Sequence, residues 1–175
     1  YGSQVIDSNF TVVMPESAVR RVRISPSNPT VTSGTSISFT LIGIDADGDE
    51  SVFTADSWEV MSINGSGSIN ASGYFVAGVP GVAGIKGTLN STSNSTKVTV
   101  TTGQAHRVNV TGPSTIVAGN AAVFTAVLTD AAGNLLTSYN NQPPTFTWST
   151  SSGTMHTNGT LVATTAGNVT VTGQL

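Results

Sequence analysis

At 175 residues, with charged side chains at 9% and a net charge of −3, the chain has room for one large domain or two of about 80 to 90 residues. Its four arginines, Arg20, Arg21, Arg23 and Arg107, form no extended basic face, which excludes the electrostatic footprint of a nucleic-acid binder, and no apolar run is long enough to span a membrane. There is no cysteine, so stability has to come from packing, sheet pairing and attached sugar rather than disulfides.

The chain opens without an initiator Met or a hydrophobic leader, and reads as a mature, processed product. Its first element is Gln4 to Pro15, QVIDSNFTVVMP. Alternation sets Ile6, Phe10, Val12 and Met14 on one face, with Ser8 the weak position among them, and Asp7, Asn9, Thr11 and Val13 on the other. Pro15 ends the strand, because proline cannot donate to a ladder.

Beyond this segment, helical periodicity is hard to find. Short runs rich in Val, Ile, Thr and Phe, separated by Gly, Pro, Asn and Ser, predict an all-β chain. Self-comparison gives a repeat of roughly 86 residues. Arg21-Val22-Arg23-Ile24 aligns with Arg107-Val108-Asn109-Val110, Gly34 and Phe39 with Gly119 and Phe124, and Trp58 with Trp148. Gly81 through Leu89 matches Gly167 through Leu175 without a gap. The expected organisation is an N-terminal strand and linker over 1–18, then two tandem Ig-like β-sandwich domains over 19–103 and 104–175.

In the first repeat, strands are expected over 20–25, 36–44, 57–63, 73–77, 82–89 and 96–102. The last points Val98 and Val100 one way and threonines the other. It has no counterpart in the second repeat, which is therefore expected to be incomplete. A sandwich lacking its final strand exposes two unpaired sheet edges and apolar core, a template for a strand from another chain. Filling it with three or four apolar side chains is worth on the order of 5 to 10 kcal/mol. The N-terminal segment suits that place. It could instead pair with its own first repeat, as chain entropy favours, but that repeat already holds a full strand set.

Asn-x-Ser/Thr acceptors begin at Asn9, Asn64, Asn70, Asn90, Asn94, Asn109, Asn158 and Asn168. Composition alone would give roughly four, so the excess points to an extracellular glycoprotein. Strand alternation places Asn9, Asn109 and Asn168 on the solvent face.

The Gly-Tyr-Phe and Gly-Thr-Leu hairpins, each followed by a Gly-containing turn and a Thr/Val-rich strand, resemble the bacterial and archaeal Ig-like surface repeats of adhesins and S-layer proteins. The whole layout, with an N-terminal strand, two β-domains of which the second is truncated, dense acceptor sites and no cysteine, is similar to the subunit of archaeal threads. These are glycosylated surface filaments assembled head to tail by donor-strand complementation. The resemblance implies Gln4 to Met14 as donor and the strands around Ala121 to Thr129 and Asn168 to Leu175 as acceptor, with Phe124, Trp148, Val169, Val171 and Leu175 lining the groove. It also implies copies of the same chain as the partner, an adhesive or biofilm role, and no cofactor beyond N-linked glycans.

Residues for other chemistry are sparse. Asp45-Ala46-Asp47-Gly48-Asp49-Glu50 could offer oxygens to Ca²⁺, but the second repeat keeps Asp130 and Gly133 while replacing Asp47 by Ala132, as a turn would. His106 and His156 stand far apart without Cys or a carboxylate pair, which disfavours a metal site or triad. No Gly-x-Ser-x-Gly elbow or phosphate-binding loop is present. Trp58 and Trp148 read as core, and alternation turns Lys86 and Lys97 outward, away from any isopeptide partner. The expected function is a non-enzymatic, extracellular filament subunit; the alternative is an Ig-like repeat fragment of an adhesin or S-layer protein.

Overall fold

The computed structural model describes residues 11–175, which carry short strands and a single 3-10 turn at Glu16–Ala18. The first half runs β1 (Arg21–Ser25), β2 (Thr30–Thr32), β3 (Ser36–Ser38), β4 (Thr40–Ile44), β5 (Glu50–Phe53), β6 (Ser57–Ser62), β7 (Gly67–Ile69), β8 (Tyr74–Ala77), β9 (Gly81–Leu89) and β10 (Thr92–Thr101). The second runs β11 (Ala105–Thr111), β12 (Ala121–Val123), β13 (Thr125–Asp130), β14 (Leu135–Leu136), β15 (Thr147–Thr150), β16 (Thr154–Met155), β17 (Thr160–Val162) and β18 (Val171–Gln174).

Three sheets form in each half. Their orders are β1-β4-β5, β3-β8-β7 and β2-β10-β9-β6 in the first, and β11-β13-β14, β12-β17-β16 and β15-β18 in the second. The correspondence is strand for strand, except that β2 and β10 have no partners in the second half. Among the described residues no ladder crosses from one half to the other.

Several elements differ from the sequence expectation. The single strand expected over 36–44 is two, because Phe39 turns into the core and the chain changes sheets there: β3 pairs with β8, β4 with β1. Three short strands, β2, β5 and β7, were not expected. β10 begins at Thr92 rather than at Thr96, since a two-residue loop of Asn90 and Ser91 already opposes Leu89 to Thr92. Asn90 supplies the positive φ, +52°, that such a tight hairpin favours.

Side chains from all three sheets of the first half meet in one cluster: Val22, Ile24, Phe39, Leu41, Phe75, Ile85, Leu89, Val98 and Val100 are all buried. Phe75 packs edge-on against Phe39 at 6.3 Å, and Phe39 lies 6.5 Å from Trp58. Trp58 fills the space above two glycines. A methyl group on Gly73 would come within 3.1 Å of its ring, and one on Gly87 within 2.8 Å. Trp148 stands over Gly159 and Gly173 in the same way, at 3.2 and 3.3 Å.

The halves meet through a small polar knot. The buried Asp130 carboxylate accepts from the Gly103 N–H at 2.9 Å and the Asn134 N–H at 2.8 Å. Asn134 Nδ2 donates to the same carboxylate and to Ser33 Oγ of the first half, at 2.7 Å. Ser33 in turn donates to the Gly78 carbonyl, so both Asp130 carboxylate oxygens, the Asn134 amide nitrogen and the Ser33 hydroxyl are all engaged.

Candidate functional site

β10 determines how the two halves differ. It runs antiparallel to the whole of β9, from Thr92 opposite Leu89 to Val100 opposite Gly81, and its end lies parallel to β2 with Thr99, Val100 and Thr101 opposite Thr30, Val31 and Thr32. Loop bonds extend the second pairing: Thr99 donates to the Pro29 carbonyl and Ser33 to that of Thr101. Val98 and Val100 are buried by this insertion. At about 1.5 to 3 kcal/mol for each such side chain, two of them alone amount to a sizeable part of a small domain's net stability.

In the second half the segment matching β2, Thr115–Val117, forms no strand, and the segment matching the start of β9, Gly167–Thr170, forms none either. Both lack the β10 equivalent that would hold them. β18 keeps only the pairing with β15. Between the two unpaired segments lies a cavity of about 480 Å³, bounded by Pro113–Ile116 on one side and Gly167–Asn168, Val169 and Val171 on the other, with Phe124, Leu161 and Ala163 at its base. Its two walls are the counterparts of β2 and β9, the strands that β10 pairs with in the first half.

Burial follows the same division. Ile85 and Ala83 are wholly enclosed, whereas Val171 and Val169 are only half-buried. Leu89 is 1% exposed and Leu175 is 45% exposed. Phe39 is buried and Phe124 half-buried.

Of the groove residues expected from sequence, Phe124, Val169 and Val171 line this cavity. Trp148 does not, because it lies over Gly159 and Gly173 on the far side of β18 from the opening. Leu175 sits instead in a separate shallow depression with His106, Val108, Leu128 and Tyr139. The residues that sequence reading missed are Pro113–Ile116: they overlap the counterpart of β2, a three-residue strand recognisable in the first half only through its pairing with β10. Of the expected donor positions, Ile6 and Phe10 lie outside the described residues. Val12 is 82% exposed, Val13 is 76% exposed, Met14 is half-buried, and residues 11–15 form no strand.

Asn64, Asn70, Asn90, Asn94, Asn158 and Asn168 are exposed, and Asn9 lies outside the described residues. In Asn64, Asn70 and Asn158 it is Oδ1 that binds neighbouring backbone N–H groups. Asn94 and Asn109 differ. Asn94 Nδ2 donates to the Val22 carbonyl at 2.7 Å, and Asn109, half-buried rather than open to solvent, aims Nδ2 at Thr129 Oγ1 at 3.4 Å.

The acidic loop folds around Asp45, whose Oδ1 accepts from the N–H groups of Asp47, Gly48 and Asp49, as an Asx turn does. Among the described residues no group of three or more His, Asp or Glu side chains gathers that could hold a metal ion, and no helix is long and apolar enough to cross a membrane. Lys86 lies 3.7 Å from Glu59.

No protein-family model and no curated protein matches the chain. Solved structures of the surface layer protein SbsC are similar to it. Domains 4–9 of that protein align at 16% identity over 78% of this chain and 24% of theirs, and rSbsC(31-844) aligns at 18% identity over 89% and 26%; the TM-score is 0.37 in both cases. The two-domain fragment of domains 4 and 5 aligns at 20% identity over 89% of this chain and 93% of its own, again at 0.37. The chain thus spans about a quarter of the longer SbsC structures.

Proposed function

We propose that the chain is a non-enzymatic structural subunit of the cell surface, built of two Ig-like sandwiches, whose second sandwich is closed by the N-terminal strand of another copy. Repetition of that step gives a head-to-tail, glycosylated extracellular filament. The observation that carries this reading is the open groove between Pro113–Ile116 and Gly167–Val171, set against the same place in the first half, which β10 already fills. The segment before β1 thus has no β10 slot to take in the first half, and Val12 and Val13 stand exposed. An unpaired apolar edge of this kind is a template for strand addition.

Removal of residues 1–15 tests the proposal. The shortened chain is expected to keep a folded first half and to stay monomeric, where the full chain polymerises. Ordinary polymerisation of the shortened chain would refute it.

The roughly 86-residue period favours a second reading, a piece of a longer tandem surface repeat protein in which the closing strand follows Leu175 in the same polypeptide. The intact mass of the protein isolated from cells separates the two: a polypeptide ending at Leu175, plus sugar, fits the filament, and a longer one fits the repeat protein.

A further inference from the structure

We infer that residues 6–14 enter the groove of the next copy in the register that β10 holds against β9, so that Ile6, Ser8, Phe10, Val12 and Met14 stand opposite Leu175, Gly173, Val171, Val169 and Gly167. This deepens the proposed function and rests on it, since it names which residues of the two copies meet.

Three independent features fix the register. The first is spacing. Met14 precedes Val22 of β1 by the same interval at which Val100 precedes Val108 of β11, so the segment stands before the first half as β10 stands before the second. Pro15 then falls at the place of Thr101, the last residue of β10, where a strand can end in proline.

The second is the polar position. Ser8 interrupts the apolar face and falls at the place of Asn94, the exposed residue of β10 opposite Gly87. There Trp58 already covers the glycine, and in the second half Trp148 covers Gly173 likewise. No apolar side chain is required of the incoming strand at that point.

The third is volume. The second half is smaller than the first at three matching core positions, Val171 for Ile85, Ala126 for Leu41 and Leu161 for Phe75, and larger at Val169 for Ala83, where the incoming Val12 is no larger than Val98. The N-terminal segment is larger than β10: Ile6 for Thr92, Phe10 for Thr96, Met14 for Val100. Deficit and excess offset each other, as a packed core requires. A one-residue slip would put Asp7, Asn9 and Thr11 into the groove instead.

Disulfide trapping tests the register directly, because the chain has no cysteine of its own. Lys97 is opposite Gly84 in the first half, so Thr11 is expected opposite Thr170. Both threonines are exposed, as is Thr172, so substitution leaves packing intact. Directly opposed strand residues lie within disulfide range, whereas a two-residue offset does not. Full-length Thr11→Cys/Thr170→Cys is expected to oxidise into a covalent ladder of copies on a non-reducing gel, at a rate roughly tenfold or more above Thr11→Cys/Thr172→Cys. A ladder formed better by the second variant would overturn the register and leave strand exchange standing. A disulfide within one copy, or no ladder from either variant, would overturn strand exchange itself and the register with it.

Discussion

The two halves of this chain carry one strand plan with and without its closing strand, and the difference shows what that strand does. With β10 in place, β9 is nine residues long, β2 exists, and Ile85 and Leu89 are sealed. Without it, β18 has four residues, the β2 counterpart has no ladder, and Val171 and Leu175 are left part-exposed. Features that do not touch β10 are kept in both. Phe39 and Phe124 each donate to the carbonyl of a glycine beside the tryptophan, Gly73 and Gly159, at 2.8 Å. Gly34 and Gly119 each donate to an alanine at the end of the facing strand or just past it, Ala77 and Ala163. The loss is therefore local to one slot rather than a general weakening of the second half.

The largest expected effect exploits that contrast. Ile85→Ala should destabilise the first half by about 2 to 5 kcal/mol, the range for emptying a sealed aliphatic site. Val171→Ala, at the same place in the open groove, should cost about 1 kcal/mol or less in a monomer, because the side chain is already partly hydrated. Urea unfolding of the two variants measures both, and the gap should narrow once copies are joined.

A smaller effect is expected at the joint. Burial alone would raise the Asp130 carboxyl, but hydrogen bonds from the Gly103 N–H, the Asn134 side chain and backbone, and the Ala132 N–H outweigh it and hold the group below its usual range. A depressed carboxylate contributes stability that is complete above the unfolded value near pH 4 and vanishes as the pH falls through the lower folded value. Asp130→Asn should cost about 1 to 3 kcal/mol at neutral pH and remove the part of the acid sensitivity that lies below about pH 4. The matching change at the half-buried Asp45, whose carboxylate serves only its own loop, should cost less, on the order of 0.5 to 1 kcal/mol. Thermal melts across pH 2 to 7 check both.

The smallest differences concern sugar. Asn94 and Asn109 have Nδ2, the atom that carries an N-glycan, committed to Val22 and Thr129. Their occupancy should fall below that of the exposed Asn64, Asn70 and Asn158, and glycopeptide mass spectrometry of cell-derived material reads the ratio.

Much of this plan is legible in side-chain spacing. Trp58 and Trp148 announce the repeat because each needs two glycines beneath it, and those glycines recur at matching distances. Val98 and Val100 announce β10 by alternation. What alternation leaves open is depth and partner. Thr30–Thr32 is too short for a period, and pairs in parallel with a strand far along the chain, so nothing local marks it. Phe39 lies within one continuous β-like run, and only its burial makes the chain change sheets. Alternation puts Leu175 and Val171 on one face of their strand, yet position along that strand sends Leu175 to a different depression. The groove wall formed by Pro113–Ile116 stayed hidden for the same reason as β2.

The central claim is that a strand from another copy takes the β10 place in the second half, and site-resolved amide hydrogen exchange over residues 167–172 addresses it most directly. In the assembled protein these amides should be protected to the level of residues 81–86, and in the chain lacking residues 1–15 they should exchange near the rate of an open edge. Equal exchange in the two samples, whether both are protected or both open, would contradict the account.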